Sequence, residues 1–362
     1  MNEKIAIIYL SYHSDLYLQK FVQSIEQINY PAQNLTIIAV DNPHPNYGLS
    51  TESLQKFLVP LKEKFVNEVI ILTTRNNVGY AGGNNIGIKW ALDNDYDYIF
   101  LNNQDGYLEP NGLEKILNAI KINDKIGAMQ PLVMMERDKE KINTSGNNFH
   151  YLGFGFCGNY GKGKKSVQLR SVVSEIGYAS GSAIMLRADL LKKHGLLDED
   201  LFCYHEDLEY CMRLRSLGFN VSTANNALFY HDYEFSRNKE KYFLMERNRF
   251  AIIMMYYKMG TIIVLLPIFA LMEIGILFFS MANHWFWQKM RAYFYWLKPS
   301  NWKKVLKKRR SIQNSRIISD KEMLSYSKSE VEFEDINNWA LNHIANPILK
   351  LYWKMVKRII FW

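Results

Sequence analysis

Apolar runs and amphipathic stretches alternate along the first hundred residues. The runs at residues 4–10, 35–40, 68–72 and 96–101 predict buried strands, and the stretches at residues 16–28 and 84–92 have helical periodicity. Continuous apolar strands separated by helices predict an α/β fold with a mostly parallel sheet flanked by helices. Ligands of such sheets bind beyond the carboxyl ends of the strands, so we expect the functional residues there.

The pattern changes beyond residue 126. Residues 127–177 are rich in Gly, Asn and Lys, which predicts loops with an inserted hairpin. Further strands are predicted at residues 183–186 and 221–230, and helices at residues 188–194 and 206–218. The last of these strands ends at His231.

Charge is distributed unevenly along the 362 residues. Residues 1–240 contain 24 Lys and Arg against 28 Asp and Glu, whereas residues 241–362 contain 20 against 8. This asymmetry argues against a nucleic-acid-binding body, because such a body would itself carry the positive patch. Three cysteines without a C-x-x-C pair support neither disulfides nor structural zinc, which fits a reducing cytoplasm. The N-terminal residues have no features of a secretion signal, so we expect this part to stay where it is made.

Polar side chains follow two of the predicted strands. Asp41 follows the second, and the stretch YIFLNNQDG, residues 98–106, ends the fourth in two asparagines, a glutamine and Asp105. A divalent cation that carries a diphosphate needs only one or two protein ligands, and Asp105 with His231 would suit Mn²⁺ or Mg²⁺. Asp105 and His231 also have explanations that involve no metal ion. Asp is common in turns after strands, and histidines with a structural role are common.

A second acidic group lies in FCYHEDLEYC, residues 202–211. Glu206, Asp207 and Glu209 occupy the first turn of a predicted helix, where carboxylates interact favourably with the helix dipole, so capping is one explanation. The aromatic residues Phe202 and Tyr204 just before them favour a partly dehydrated cleft instead. In such a cleft a carboxylate with a raised pKa serves as a general base.

The stretch NNVGYAGGNNIG, residues 76–87, is rich in glycine. It has neither the Lys-Ser/Thr of a P-loop nor the spacing G-x-G-x-x-G. Gly82 and Gly83 would allow the backbone to approach a ligand closely, and Asn84 would cap the following helix. A tight strand-to-helix turn explains the same composition without a ligand.

In order and spacing, these segments resemble the family 2 glycosyltransferases with the GT-A fold. The nearest branch is the bacterial one that contains rhamnosyltransferases and galactofuranosyltransferases. The resemblance covers about residues 4–250 and rests on AIIYLSYH, SIEQINYPAQNLTIIAVDN, NNVGYAGGNNIGI, YIFLNNQDG, GYASGSAIMLRADLLKKHGLLDEDLFCYHEDLEYCMRLRSLGF, ALFYHD and RNRF. It implies a GT-A type nucleotide-binding sheet that transfers a sugar from a nucleoside-diphosphate donor with inversion.

The resemblance also implies which residues bind the donor. Tyr12 and Asp41 would hold the nucleoside, and Asp105 would bind the metal ion, with His231 as a further ligand. The complete implied donor set is Tyr12, Asp41, Asn77, Gly79, Gly82, Asn85, Asn103 and Asp105.

On the acceptor side, the resemblance implies that Asp207 removes the proton of the acceptor hydroxyl, assisted or oriented by Glu206. Asp198 and Glu199 would be acceptor-side carboxylates. The chain departs from the family pattern at Asn103, which replaces the first acidic residue of the D-x-D motif and lowers the expectation of metal dependence. VDNPHPNYG also lacks the usual Ser-x-Asp, and the missing Q-x-x-R-W of processive synthases favours addition of one or a few sugars.

Residues 261–281 are apolar apart from Glu273 and contain Pro267. Their length permits a membrane span, but basic residues on both flanks and the proline favour two shorter helices that dip into one leaflet. A buried helical pair of a soluble protein is the alternative.

The last residues, NPILKLYWKMVKRIIFW, predict an interfacial amphipathic helix. Its basic face would be formed by Lys350, Lys354, Lys357 and Arg358, and its apolar face by Ile348, Tyr352, Met355, Val356 and Ile359. Such a tail would attract anionic lipid, where the protein would meet a polyprenyl-diphosphate-linked glycan acceptor.

These features predict a GT-A catalytic domain at residues 1–240, membrane-associated apolar helices at 241–300 and a basic tail at 301–362. The expected protein is an inverting glycosyltransferase, peripheral or re-entrant at the cytoplasmic face of a bacterial membrane, that extends a lipid-linked surface polysaccharide, with rhamnose as the favoured sugar. One alternative is a nucleotidyltransferase, which would need a basic residue or a second carboxylate where Asn103 stands. The other is a catalytically degenerate sugar-nucleotide-binding partner of another transferase. Nucleic acid is not an expected partner.

Overall fold

A computed structural model describes residues 3–169, 171–232, 239–332 and 339–362. The chain forms two compact units. We call residues 3–147, 158–211 and 220–232 the sheet unit, and the described parts of residues 148–157, 212–219 and 239–362 the helical unit. The helical unit thus includes two short segments from the first predicted domain. The predicted functional division at residues 240 and 300 stays a prediction.

The strands and helices are as follows. The strands are β1 (Ile5–Ser11), β2 (Leu35–Asp41), β3 (Glu68–Thr73), β4 (Tyr98–Asn103), β5 (Gly106–Leu108), β6 (Ile126–Met135), β7 (Ile142–Thr144), β8 (Asn147–Phe149), β9 (Gly155–Cys157), β10 (Val173–Glu175), β11 (Ala183–Arg187) and β12 (Asn220–His231). The α-helices are α1 (Asp15–Glu26), α2 (Thr51–Leu58), α3 (Gly79–Asp93), α4 (Gly112–Ile120), α5 (Ala188–His194), α6 (Glu206–Ser216), α7 (Glu240–Tyr256), α8 (Met259–Ala282), α9 (Phe286–Trp296), α10 (Pro299–Ser315), α11 (Asp320–Ser325) and α12 (Asn346–Val356).

The main sheet has the strand order β10-β12-β6-β11-β4-β1-β2-β3. The β4, β1, β2 and β3 block is parallel, as is the β6 and β12 pair, while β11 runs antiparallel between them. Both faces are covered, and β1 and β2 are buried along their whole length. The predicted α/β fold with a mostly parallel sheet is confirmed. In the register, Ser11 pairs with Asp41 and Leu10 with Asn103, so the polar ends of β1, β2 and β4 lie at one edge.

The prediction of loops at residues 127–177 is wrong in its first part, because β6 is a buried ten-residue strand in the middle of the sheet. Gln130 and Pro131 interrupt its apolar run and hide it from a pattern search. The pairing of β6 with β12 shifts register just after Pro131, between Ala224 and Leu228. A proline cannot donate to a sheet ladder, so an irregularity at this position accommodates it.

In the helical unit, α8 continues through Pro267 for 24 residues. The predicted break into two shorter helices is therefore wrong; a proline removes one hydrogen bond, and here the turns on both sides remain helical. Among the described residues, α8 is the one helix that is long and apolar enough to cross a bilayer, and only a minority of its side chains are buried.

Four charged side chains are buried between α7, α8 and α9. Arg249 donates to Glu246 at 2.8 Å and to Glu273, and Lys289 donates to Glu273 at 2.6 Å and to Glu246. Burial alone would raise the pKa of Glu246, but the charges of Arg249 and Lys289 lower it to about 2. The two positive and two negative charges balance, so the one charged residue of α8 is neutralised inside the protein.

The predicted faces of the C-terminal helix need correction. The buried residues of α12 include Leu349, Trp353 and Val356, and Trp353 stacks on Tyr151 with ring centroids 4.6 Å apart. Of the predicted apolar face, Ile348, Met355 and Ile359 are exposed. Packing therefore uses Val356 of the predicted apolar face together with Leu349 and Trp353, which the prediction left out, and three residues of the predicted face are exposed.

Candidate active site

The polar residues that end β4 have different tasks. Asn102 Nδ2 donates to the carbonyl oxygens of Asn103 and Gly106, both at 2.9 Å, and closes the turn into β5. The side-chain amide of Gln104 accepts from Tyr12 N at 2.6 Å and donates to Tyr12 O at 3.2 Å. Gln104 therefore joins the ends of β1 and β4, and the two other side chains, Asn103 and Asp105, contact β12.

Asp105 and His231 form a pair at this edge. Asp105 Oδ1 lies 3.0 Å from His231 Nε2, and Asn103 Nδ2 lies 3.5 Å from the same nitrogen. His231 is only 6% exposed, and the pairing of Gly106 with His231 fixes its position. The structure thus brings together the two residues predicted to bind a metal ion.

A carboxylate and an imidazole at this separation fit a Mn²⁺ or Mg²⁺ site. Among the described residues, no group of three or more His, Cys, Asp or Glu side chains could hold a metal ion. A divalent ion would therefore take two protein ligands here, and its remaining positions would be filled by diphosphate oxygens and water.

Asp207 lies at the start of α6 with both carboxylate oxygens engaged. Oδ2 accepts from Gly181 N at 3.0 Å and Oδ1 accepts from Leu208 N at 2.7 Å. Burial raises the pKa of Asp207, and the two backbone donors offset part of this rise. A fixed carboxylate with a raised pKa is suited to remove a proton from a hydroxyl group.

Glu206 differs from its neighbour. It is 5% exposed, and its Oε2 has no hydrogen-bond partner among the described residues. Burial and the charge of Asp207 raise the pKa of Glu206 well above its usual value. Glu206, Asp207 and Tyr80 line a void of about 10 Å³, which is no larger than a single water requires. The predicted role of Glu206 in assisting or orienting Asp207 stays a prediction.

Residues 180–182 connect Asp207 to the end of β4. Asn103 N donates to Ser182 O at 2.9 Å, while Gly181 N donates to Asp207. The hydroxyl of Tyr80 donates to Gly181 O, so both polar backbone groups of Gly181 are held. This segment links the position of the carboxylate to the edge that carries Asp105 and His231.

The loop before α6 is strained. Phe202, Tyr204 and His205 have φ angles of 66°, 65° and 68°, a region that side chains other than glycine rarely adopt. Such strain persists where surrounding contacts impose it, often at functional sites. One such contact is the bond from Ala81 N to Phe202 O at 3.1 Å. Gly79 has φ of 74°, and a Cβ there would lie 2.4 Å from Phe202 O, so this approach requires glycine.

The glycine-rich segment is helical and not a turn. It forms the first turns of α3, so the prediction that Asn84 caps a later helix is wrong; Asn84 lies inside α3 and donates to Tyr80 O. A Cβ at Gly82 would lie 2.9 Å from Val78, and one at Gly83 would lie 2.4 Å from Leu10. These glycines therefore allow close packing within the protein, which replaces the predicted approach to a ligand.

Asn85 also needs correction. It is 1% exposed, and its amide is bonded to both backbone groups of Leu197 and to Glu199. It holds the segment after α5 and cannot reach a donor in this conformation. Asp198 caps the short 3₁₀ helix that follows, and Glu199 is exposed beside Lys89. The acceptor-side roles of Asp198 and Glu199 stay predictions.

At the ends of β1 and β2, Asp41 is fully buried. It accepts from Ser50 N at 3.1 Å and Thr51 Oγ1 at 2.7 Å, which fixes the start of α2. Asn77 accepts from Asn42 Nδ2 and from Gly79 N, both at 2.9 Å, and so ties α3 to the end of β2. The donor-binding roles of Asp41 and Asn77 stay predictions.

An aromatic group beside Tyr12 was not predicted. His44 lies 4.7 Å from Tyr12 and 4.8 Å from Tyr47 between ring centroids, and His13 stacks on Tyr47 at 4.0 Å. Tyr47 is exposed and the other three rings are partly exposed, and accessible rings at the carboxyl ends of strands are suited to stack on a nucleobase. The same strand-end rule that selected Asp41 would have found them, because Tyr12 and His13 directly follow β1 and His44 and Tyr47 come within six residues of the end of β2.

The sequence model described as Glycosyl transferase family 2 matches residues 6–195, more than half of the chain. The chain belongs to glycosyl transferase family 2. The predicted family is thereby confirmed. The matched part contains Asp105, whereas Glu206, Asp207 and His231 lie beyond its end.

Two curated proteins are similar to this chain at low identity. The low-salt glycan biosynthesis hexosyltransferase Agl10 of Haloferax volcanii is 24% identical over 193 residues, which cover 51% of this chain and 60% of that protein. The dTDP-rhamnosyl transferase RfbF of Shigella flexneri is 24% identical over 226 residues, which cover 61% and 66%. The chain thus matches less than two thirds of either relative.

Among solved structures, the crystal structure of GalNAc-T7 with UDP, GalNAc and Mn²⁺ is similar, with a TM-score of 0.54 and 11% identity. The match covers 71% of this chain and 48% of that one. At this identity the likeness shows the fold alone, and it supports the GT-A type assigned to this family 2 chain.

In this family 2 chain, the bond from Tyr80 to Gly181 leads to a prediction. Tyr80→Phe would loosen Gly181 and weaken its bond to Asp207, which lowers the pKa of that carboxyl when intact. We expect kcat to fall about 10-fold with the donor KM unchanged, and the acid limb of the kcat–pH profile to move to higher pH. Steady-state kinetics across pH measure both effects.

Tyr96→Phe is the matched control. It removes a hydroxyl that donates to Thr36 near the amino end of β2, far along the sheet from Asp207. We expect its pH profile to match that of the unsubstituted protein. An unchanged acid limb in Tyr80→Phe would argue against the positioning role.

Proposed function

We propose that this family 2 chain is an inverting glycosyltransferase that moves a sugar from a nucleoside-diphosphate donor to an acceptor hydroxyl. The observation that carries the proposal is the link through residues 180–182 between the half-buried Asp207 and the edge that holds Asp105 and His231. A base for the acceptor and a cation site for the diphosphate are the two groups that such a displacement needs.

In the proposed reaction, Asp207 accepts the proton of the acceptor hydroxyl. The hydroxyl oxygen then forms a bond to the anomeric carbon from the face opposite the donor diphosphate, and the bond from that carbon to the diphosphate oxygen breaks. The nucleoside diphosphate leaves with the electron pair of that bond. Because the hydroxyl oxygen attacks from the opposite face, the configuration of the anomeric carbon is inverted. Asp105 and His231 would hold Mn²⁺ or Mg²⁺, which supplies positive charge against the developing negative charge of the diphosphate.

The donor and acceptor are narrower parts of the proposal. The similarity to a protein named dTDP-rhamnosyl transferase supports dTDP-rhamnose as donor. The aromatic group of His13, His44 and Tyr47 supports a nucleobase at the ends of β1 and β2. The exposed apolar side chains of α8 support a lipid-linked glycan acceptor at the cytoplasmic face of a bacterial membrane, as in surface polysaccharide synthesis.

The alternative is a sugar-nucleotide-binding partner that has lost catalysis, which Asn103 in place of an acidic residue favours. One experiment separates the two functions. Purified full-length protein is mixed with lipid-linked acceptor extract in vesicles, and nucleoside diphosphate release is measured across dTDP- and UDP-sugars. Acceptor-dependent release from one donor supports the transferase, whereas tight binding of a donor with no release from any supports the partner.

Removal of divalent ions is expected to stop turnover. EDTA should reduce nucleoside diphosphate release at least about 100-fold, with recovery on excess Mn²⁺, because a bound cation stabilises the leaving group by several kcal/mol. Asp105→Asn should have a similar effect and should weaken Mn²⁺ binding in the presence of dTDP, as measured by calorimetry.

Asp15→Asn is a suitable control for the charge change. Asp15 accepts from Ser50 and Ser53 and lies outside the pair formed by Asp105 and His231. Full activity of the unsubstituted protein in EDTA would contradict the proposed metal ion. It would not contradict the proposed role of Asp207 as the base.

A further inference from the structure

The outer surface of α8 is apolar along its whole length. Its buried residues are Thr261, Leu265, Ile268, Ile276 and Ser280, which form one stripe towards the rest of the helical unit. Several large apolar side chains outside this stripe are about half exposed or more, among them Ile263, Leu266, Leu271, Ile274, Phe278 and Met281. An exposed apolar surface of this length marks an interaction site.

Two helices that pack on α8 extend this surface. Trp287 and Leu297, on and just after α9, are 70% and 74% exposed, and Leu351 and Met355 on α12 are 61% and 53% exposed. Contacts with α8 hold both helices in place. Phe279 of α8 packs edge-to-face on Trp285, just before α9, and Tyr352 of α12 donates to Val264 O at 2.6 Å.

The charge of this unit fits an anionic lipid surface. Residues 241–362 carry 20 Lys and Arg against 8 Asp and Glu. Exposed basic side chains occur on α10 and at α12, namely Lys303, Lys304, Lys307, Arg310, Lys350, Lys354, Lys357 and Arg358. Apolar side chains beside basic ones are the pattern of segments that lie in the interface of an anionic bilayer.

The helices beside α8 argue against a crossing of the bilayer. Along the second half of α8, α9 carries Arg291, which is half exposed and paired with exposed Glu240. Along the first half, α12 carries exposed Lys350 and Lys354. A crossing would bring these charges into the hydrocarbon region, where they are costly. In an interfacial position they remain among the headgroups.

We propose that α8 lies in one leaflet of an anionic bilayer, parallel to the membrane plane, with α9 and α12 beside it. Glu273, the one charge of α8, faces the protein and is satisfied by Arg249 and Lys289. We call this position of α8 the one-leaflet seat. Its biological role rests on the proposed function, because it would hold the enzyme where a lipid-linked acceptor lies. Its test requires no turnover, so the two can fail separately.

The first test is vesicle binding by the full chain. Co-sedimentation is measured with two kinds of vesicle. One contains phosphatidylcholine alone, and the other contains phosphatidylcholine with roughly 30 mol% phosphatidylglycerol, which provides anionic charge. We expect at least about 10-fold stronger binding to the anionic vesicles at low salt, reduced by high salt. The double variant Leu266→Glu, Phe278→Glu should weaken binding at least about 10-fold.

The matched control is Leu16→Glu, Ile122→Glu, which changes two exposed apolar residues of the sheet unit in the same way. Its binding should equal that of the unsubstituted chain. Equal loss in both double variants, or no binding to either vesicle, would overturn the proposal. If the α8 variant instead changed a monomer–oligomer equilibrium in solution without affecting vesicle binding, the surface would be a protein interface.

The second test separates a one-leaflet seat from a crossing. Met259→Cys and Asn283→Cys are combined, the chain is reconstituted into sealed vesicles, and a membrane-impermeant maleimide is added outside. In the proposed seat, both ends of α8 lie on the same side of the membrane. Each molecule should therefore carry either two more labels than the parent chain or no more, as counted by mass spectrometry. A population that gains one label per molecule would show a crossing and overturn the proposal.

Discussion

Asp207→Asn is expected to reduce turnover by about 10²–10⁴-fold, the range for loss of a general base. Asparagine keeps an oxygen that can accept from Gly181 N or Leu208 N, so the start of α6 should remain intact. The donor KM should change little, because the proposed role of Asp207 is to take the proton of the acceptor. Acceptor-dependent release of nucleoside diphosphate gives the rate, and calorimetric donor binding shows that the site is preserved.

The matched variant is Glu206→Gln. Burial and the charge of Asp207 raise the pKa of Glu206, which favours its neutral form, and glutamine is a neutral side chain of similar size and shape. We expect this variant to keep most of its activity. In the unsubstituted enzyme, the raised pKa of Asp207 should make turnover fall at a higher pH than an ordinary aspartate would. A large loss of activity in Glu206→Gln with a small loss in Asp207→Asn would indicate that Glu206, and not Asp207, is the general base.

Arg249→Met is expected to destabilise the helical unit by about 3–5 kcal/mol, the range for removing one partner of a buried ion pair. The substitution leaves Glu246 and Glu273 close together with Lys289 as their one remaining partner in the group of four. It also removes the guanidinium group that lies 4.3 Å from the ring centroid of Phe154. Urea unfolding followed by circular dichroism measures the change.

Two comparisons test the cause of this destabilisation. Arg249→Met with Glu246→Gln restores the balance of charge and should recover part of the lost stability. Arg291→Met removes a half-exposed arginine paired with Glu240, where a surface ion pair contributes at most about 1 kcal/mol. If Arg249→Met were no more destabilising than Arg291→Met, the buried group would not stabilise the contact of α7, α8 and α9.

Sequence periodicity was reliable where each element buries a simple pattern. Strands β1 to β4 are continuous apolar runs, and α5 begins and ends at the predicted residues. It failed at β6, because Gln130 and Pro131 interrupt the run, and at α3, because glycines that pack against Leu10 and Val78 have the composition of a turn. In both cases the neighbouring elements favour a structure that local composition disfavours.

The sequence by itself determined the family, the α/β fold and the polar residues at the ends of the strands, because these depend on residue type, order and spacing. Only the tertiary structure decided how those residues are used. It placed Asp105 against His231, 126 positions away in the chain, and gave Asn85 and the carboxylate of Asp41 structural bonds. It also buried Glu206 and left its Oε2 without a hydrogen-bond partner among the described residues. Burial and hydrogen bonding between distant segments set the pKa and the accessibility of these side chains. Burial and such contacts cannot be read from one segment of sequence.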